Sequence, residues 1–163
     1  AKRYMLLAEY DKAVEQYLAY YNLSSGEAKL QARAQNNIGV CYRGMKKFDD
    51  AIGAFNKAVE LDRGLVQAYL GLGMVYQQSG EPDKAVDILL RAVSVSDQAN
   101  KVFVYTKLGQ LYTEMKKYQL ALDYADKTLE LLPPQSQMWN YISERKMLLR
   151  KALQTAQDAS SAK

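Results

Sequence analysis

The sequence contains no histidine, and with it goes much of the catalytic repertoire: no Ser-His-Asp or Cys-His arrangement can be drawn, and no imidazole can ligate a metal. The one cysteine, Cys41, cannot form an internal disulfide, and its place beside Tyr42 in a helical pattern marks it as a buried small hydrophobe rather than a reactive thiol. No run of 18 apolar residues is present, so no membrane-spanning helix is expected, and no signal-peptide pattern follows Ala1. Blocks of five or six like charges are also missing. The net charge of +4 comes from 22 basic and 18 acidic residues spread along the chain, with Lys46-Lys47, Lys116-Lys117 and Arg145-Lys146 as the widest basic runs. Aromatic and basic residues do not interleave as a single-strand binder requires, which disfavours nucleic acid as a partner. The expectation is a non-enzymatic protein without metal or cofactor, placed by default in the cytoplasm.

The 163 residues are 48% hydrophobic, enough for a sizeable core, and thirteen tyrosines against three phenylalanines make Tyr the recurring ring. The recurrence is ordered. Gln35, Ile38, Gly39 and Tyr42, followed by Ala51, Phe55 and Ala58, return as Tyr69, Leu72, Gly73 and Tyr76 with Ala85, Leu89 and Ala92. They return again as Tyr105, Leu108, Gly109 and Tyr112 with Ala121, Ala125 and Thr128, closing on Pro133. Counted from Gln35 to Tyr69 to Tyr105, the steps are 34 and 36 residues. A fixed period of this size marks a solenoid, whose unit cannot bury its apolar face alone and must stack on a neighbour. Gly inside a helix costs about 1 kcal/mol relative to Ala. Three glycines in register therefore predict a compensating close approach of a second helix, across from the small Ala51, Ala85 and Ala121.

These residues resemble the tetratricopeptide repeat, a 34-residue helix-turn-helix with the signature W-x2-L-G-x2-Y, A-x3-F-x2-A, P. The copies read Q-x2-I-G-x2-Y, A-x3-F-x2-A; Y-x2-L-G-x2-Y, A-x3-L-x2-A; and Y-x2-L-G-x2-Y, A-x3-A-x2-T. The resemblance implies an all-α fold, a right-handed α-solenoid of antiparallel helix pairs with a C-terminal capping helix.

The expected organisation is a partial repeat over 1-22, repeats over 27-63, 65-97 and 98-133, a capping helix over 136-158 and a disordered tail over 159-163. Ala1 and Tyr4 stand where Gly39 and Tyr42 stand later, so preceding residues are expected; Asp11 is then a candidate N-cap opening a second helix with Ala13, Tyr17 and Tyr20. Ala13 to Ala51 is a step of 38 residues, which predicts one extra helical turn at the start of the helix after Asn22 to Gly26. Gly44 is expected to end that helix as its C-cap. Ala125 in place of Phe55 removes a large ring from the third pair, worth about 1.5–3 kcal/mol when fully buried, with Tyr124 next door to supply part of it. Trp139 and Ile142 begin a fourth copy that fails at Lys146, and the helix is expected to turn a polar outer face to water.

By resemblance, first helices of successive pairs line a concave surface that grips a peptide or helix of another protein. That face carries Arg33, Asn36, Asn37, Val40 and Arg43; then Gln67, Leu70, Met74, Gln77 and Gln78; then Phe103, Thr106, Lys107, Gln110 and Glu114. Asn37 is a candidate to pair with both N–H and C=O of a ligand backbone. Leu70 and Met74 are candidates for an apolar pocket, and Arg33, Arg43 and Lys107 favour an acidic partner. The family's chaperone-tail binders use a two-carboxylate clamp of Lys and Asn, then Asn, then Lys and Arg. Asn37 fits its middle element, but Lys2 takes the place of the first Asn, and Gln67 and Gly71 take those of the third helix's Lys and Arg. Binding of an EEVD-type tail is disfavoured. The alternative functions are a self-association module, giving a homo-oligomer, or a helical spacer of a larger protein.

Overall fold

The computed structural model describes residues 2–161, with side chains from residue 9 to residue 161. Every regular element among them is an α-helix: α1 Lys2–Leu23, α2 Ala28–Gly44, α3 Phe48–Leu61, α4 Val66–Gln78, α5 Pro82–Val95, α6 Gln98–Glu114, α7 Tyr118–Leu131 and α8 Gln137–Ser161. They fall into two compact units, one ending at Val95 and one beginning at Ser96. In the first, α1 packs on α2, α2 on α3, α3 on α4 and α4 on α5; in the second, α6 packs on α7 and α7 on α8. Short connections make consecutive helices antiparallel neighbours, so the fold is the all-α solenoid of helix pairs expected.

Three of the turns share one geometry. The backbone N–H of Lys47, Glu81 and Lys117 donates to the carbonyl of Tyr42, Tyr76 and Tyr112, at 2.9, 2.8 and 2.8 Å. One residue earlier, Lys46, Gly80 and Lys116 donate to Arg43, Gln77 and Thr113, and all three have positive φ, at 60°, 83° and 57°. This is the Schellman motif, which satisfies the last carbonyls of a helix through one left-handed residue. Only the middle copy supplies a glycine for it. Gly44, expected as the C-cap, is instead the last residue of α2, with Met45 as the cap. Its role is a close approach: a Cβ there would lie 2.6 Å from Tyr10 Cζ.

The N-terminus also differs from expectation. No break occurs before Asp11, because α1 is a single helix of 22 residues. No Gly, Asn or Pro lies between Lys2 and Tyr21 to ease a left-handed turn. Ala1 and the side chains of Lys2 and Tyr4 lie outside the described residues. The extra turn of α2 is present: α2 has 17 residues against 13 in α4. Its start at Ala28 precedes by one turn Ala32, the counterpart of Val66 one 34-residue period earlier.

The centre of the first unit is Phe55, fully buried with Ala51, Ala58, Ala68, Leu72 and Val75. Its ring lies between two glycines. A Cβ on Gly39 of α2 would come within 2.8 Å of Phe55 Cδ1, and one on Gly71 of α4 would come closer still to the ring. Leu89 of α5 fills the notch of Gly73 in the same way, with its Cδ2 3.0 Å from a Cβ placed there. At Gly39 and Gly73 the predicted close approach is thus made by the large residue of the partner helix. Cys41 is buried beside Val14, Ile38 and Ala54, and burial pushes its thiol above the usual range.

Two changes follow with opposite sign for the same chemistry. Gly53→Ala in α3, where a Cβ meets nothing within 4 Å, raises stability by about 0.5–1 kcal/mol in urea unfolding. Gly71→Ala lowers it by about 1–2 kcal/mol, since overpacking against an immobile ring outweighs the gain in helix propensity. A neutral Gly71→Ala would contradict the ring's confinement. Lys46→Gly, which relieves a left-handed Lys, raises the unfolding free energy by about 0.5–1 kcal/mol; an unchanged value would contradict the strain.

Candidate functional site

The expected face splits by unit. In the first, Arg33, Asn36, Val40 and Arg43 recur on α2 at steps of three and four, and Gln67, Leu70, Met74 and Gln77 repeat them on α4, which contacts α2. None of these side chains is fully buried, and Arg33, Val40, Gln67 and Gln78 are exposed. The other faces of the two helices hold Ala32, Ala34, Ile38, Ala68, Leu72 and Val75 in the core. An α-helix that buries one stripe leaves this one to solvent.

Register separates Asn36 from Asn37. Asn37 has Gly71 as its counterpart 34 residues on, and Gly71 packs against Phe55 of the preceding pair. Asn36 therefore shares the stripe with Leu70, while half-buried Asn37 accepts a 3.4 Å hydrogen bond from Asn36 Nδ2. Two buried side-chain atoms of the described residues make no hydrogen bond within the protein: Asn36 Oδ1 and Arg43 Nε. They lie two turns apart on one face of α2. Arg43 borders a recess of about 410 Å³ with Gly44, Lys46, Phe48 and Gln78. Two cations, an amide and a ring thus meet at the C-terminal ends of α2 and α4.

In the second unit Phe103, Thr106, Lys107 and Gln110 lie on α6. Phe103 is 58% exposed, and Lys107 Nζ donates to Gln110 Oε1 at 3.3 Å. Behind Thr106 and Gln110 the third copy differs from the others. A Cβ on Gly109 would find only Ala121 O at 3.7 Å and Tyr124 Cβ at 3.8 Å, ordinary contact distances. Tyr124 turns inward, stacking on Tyr112 at 5.6 Å and tilting against Tyr105 at 5.7 Å, and burial pushes its phenol above the usual range. It supplies a ring, but not in the place of Phe55. Beside Ala125 remains a slot of about 30 Å³, lined by Gly109, Ala121, Ala125, Thr128, Ile142 and Leu149, with Tyr105, Thr106, Gln110, Thr113 and Arg145 around it.

The last helix opens just after Ser136, whose Oγ accepts from the Trp139 N–H at 3.2 Å, following a turn in which Ser136 N donates to Pro133 O and Gln135 takes positive φ. Lys146, where the fourth copy fails, pairs with Asp126 of α7. The outer face of α8 is polar only in part: Glu144, Arg150, Lys151 and Gln154 are exposed, as expected, but apolar residues join them. Met138, Tyr141, Met147 and Leu148 are exposed, the last two at 59% and 64%, because only Ile142 and Leu149 of its apolar stripe reach the core. α8 continues to Ser161, into the stretch expected as a tail. Among the described residues no acidic or cysteine cluster is able to hold a metal, and no helix is long and apolar enough to cross a membrane.

Helix pairs with an exposed first-helix stripe, capped by Schellman turns on repeated tyrosines, define a helical-repeat protein-interaction scaffold. A tetratricopeptide repeat model matches residues 31–98 and 64–133, and the chain belongs to that family. It is 31% identical over 133 residues to bovine BBSome complex member BBS4, covering 82% of this chain and 24% of that protein. It is 30% identical over 86 residues to anaphase-promoting complex subunit 3 of Schizosaccharomyces pombe, covering 53% of this chain and 13% of that one. The chain thus spans about a quarter or less of these relatives. Among solved structures, the N-terminal domain of stress-induced protein-1 from C. elegans superposes with a TM-score of 0.67 at 20% identity, over 77% of this chain and 99% of that one. MamA superposes at 0.62 and 24% identity, over 94% and 92%. The first tetratricopeptide repeat domain of Spaghetti (RPAP3), solved with an HSP90 peptide, superposes at 0.64 and 18%, over 77% and 94%.

The slot makes a stability prediction. Ala125→Leu, matching Leu89 of the second copy, raises the unfolding free energy by about 1 kcal/mol as buried methyl groups gain contacts. Chemical denaturation checks this; a loss of stability would mean that the slot is too narrow for a Leu.

Proposed function

We propose that this chain is a non-enzymatic interaction module that binds an extended or helical segment of a partner protein along the α2 and α4 stripe. Asn36 Oδ1 and Arg43 Nε carry the reading, because a buried polar atom without a partner costs about 1–3 kcal/mol. A ligand main chain supplies an N–H for the first, and an acidic side chain supplies acceptors for the second. Arg33, Val40, Gln67, Leu70, Met74 and Gln77 complete the contact surface in the first unit, and Phe103, Thr106, Lys107 and Gln110 offer one in the second. Lys46 beside Arg43 favours an acidic group at that end of the stripe. Several relatives are named as members of multi-subunit complexes, which supports a binding role.

A chaperone EEVD tail remains disfavoured, since Gln67 and Gly71 stand where that clamp needs Lys and Arg. A cytoplasmic setting belongs to the same proposal, as nothing in the chemistry calls for an oxidising compartment. One observation favours a second reading, self-association: the exposed Met138, Tyr141, Met147 and Leu148 of α8 form an apolar stripe. A concentration-independent monomer mass in light scattering would rule against it.

The test of the first reading is a titration with a library of fluorescein-labelled acidic peptides. For peptides that bind the wild type, Arg43→Ala weakens affinity about tenfold or more, and Asn36→Ala does so several-fold. Added salt weakens the wild type more than Arg43→Ala. Full-strength binding of every peptide by both variants would exclude this stripe as the site.

A further inference from the structure

We infer that the slot between α6, α7 and α8 receives a leucine-sized aliphatic side chain of a partner peptide, with an acidic residue next to it paired to Arg145. The inference rests on the peptide-binding reading above and names the chemistry that the second unit selects.

The repeat itself shows what the slot is built to hold. In the first two copies the large residue of the second helix enters the notch of the first-helix glycine: Phe55 against Gly39, Leu89 against Gly73. The third copy keeps Gly109, and keeps Ala121 where Ala51 and Ala85 stand, but carries Ala125 in place of the knob. Receptor and knob are separable parts, and here only the receptor is present. The slot walls are apolar: Ala121, Ala125, Ile142 and Leu149. The threonine hydroxyls that line it, of Thr106, Thr113 and Thr128, already donate to the carbonyls of Val102, Gly109 and Tyr124 at 2.7 Å, so they ask nothing of an occupant. About 30 Å³ exceeds the roughly 10–15 Å³ that one water needs, and the knob that fills the equivalent notch of the second copy is a leucine.

The slot borders Thr106 and Gln110, on the α6 stripe already assigned to a partner. Arg145 stands beside it. Its Nη1 donates to Tyr141 Oη at 2.9 Å and its guanidinium lies 5.6 Å from that ring, which fixes the head group while using one of its five N–H donors. A carboxylate adjoining the aliphatic side chain is the group that complements the remaining donors.

The experiment is a titration of the whole chain with N-acetyl-leucine, N-acetyl-leucinamide and N-acetylglycine, followed by residue-resolved amide NMR. N-acetyl-leucine is expected to shift the amides of Gly109, Thr128 and Leu149. N-acetylglycine binds at least about tenfold more weakly for lack of the isobutyl group, and the leucinamide about tenfold more weakly for lack of the charge. Ala125→Leu abolishes the shifts by filling the slot from within. Ala125→Val, a smaller change that keeps the fold if the Leu does not, reduces them. Absence of shifts at these amides in the wild type, or shifts that persist unchanged in Ala125→Val, would overturn the inference. Equal affinity for the acid and the amide would overturn its acidic half. Arg43→Ala leaves the slot shifts intact, so a failed stripe on α2 and a failed slot give different patterns.

Discussion

The ring of Phe55, held between Gly39 and Gly71, is the contact on which the first unit depends. It binds three helices with one side chain: α3 carries it, α2 and α4 each give up a Cβ to admit it. Each glycine sacrifices about 1 kcal/mol of helix propensity, and burial of the ring returns about 1.5–3 kcal/mol. Two notches for one ring cost about 2 kcal/mol together, which burial offsets only where it is complete, as it is at Phe55. Stacking in this unit is therefore decided in the gap between pairs, where a side chain from one pair closes against the backbone of the next.

The turns serve this contact by fixing where each second helix starts. A Schellman bond to the carbonyl of Tyr42, Tyr76 or Tyr112 ties the turn to the residue that also packs the pair, so helix end and core register are set together. Two of the three left-handed positions are lysines. Their strain is tolerated because the turn must place Ala51 and Ala121 against the notched helix, and the bond to the tyrosine carbonyl holds it there. Gly44 was free to take another task, admitting the ring of Tyr10.

Loosening of the pattern in the third copy gives the second unit its character. With Ala125 in the knob position, Tyr124 rotates into a cluster with Tyr105 and Tyr112, and Lys146 of α8 pairs with Asp126. Neither occupies the notch of Gly109. The stripe on α2 carries the complementary feature, polar atoms withdrawn from water without a partner inside the chain. The α2 stripe offers unmet hydrogen bonds, and the slot between α6, α7 and α8 offers unmet packing.

Much of this was legible from spacing alone. The period placed the extra turn at the start of α2, because core residues of a helix recur every three or four positions whatever their neighbours. Composition also foretold the loss at Ala125. Sequence did not show that α1 is continuous, that the left-handed residue is Lys46 rather than Gly44, or that Asn36 rather than Asn37 shares the exposed stripe. Each of those depends on what stands opposite: a ring over Gly44, a notch at Gly71, a helix that leaves Met147 and Leu148 uncovered. Local pattern fixes which face of a helix is apolar; only the packed neighbours decide which atoms on the other face are left without a partner.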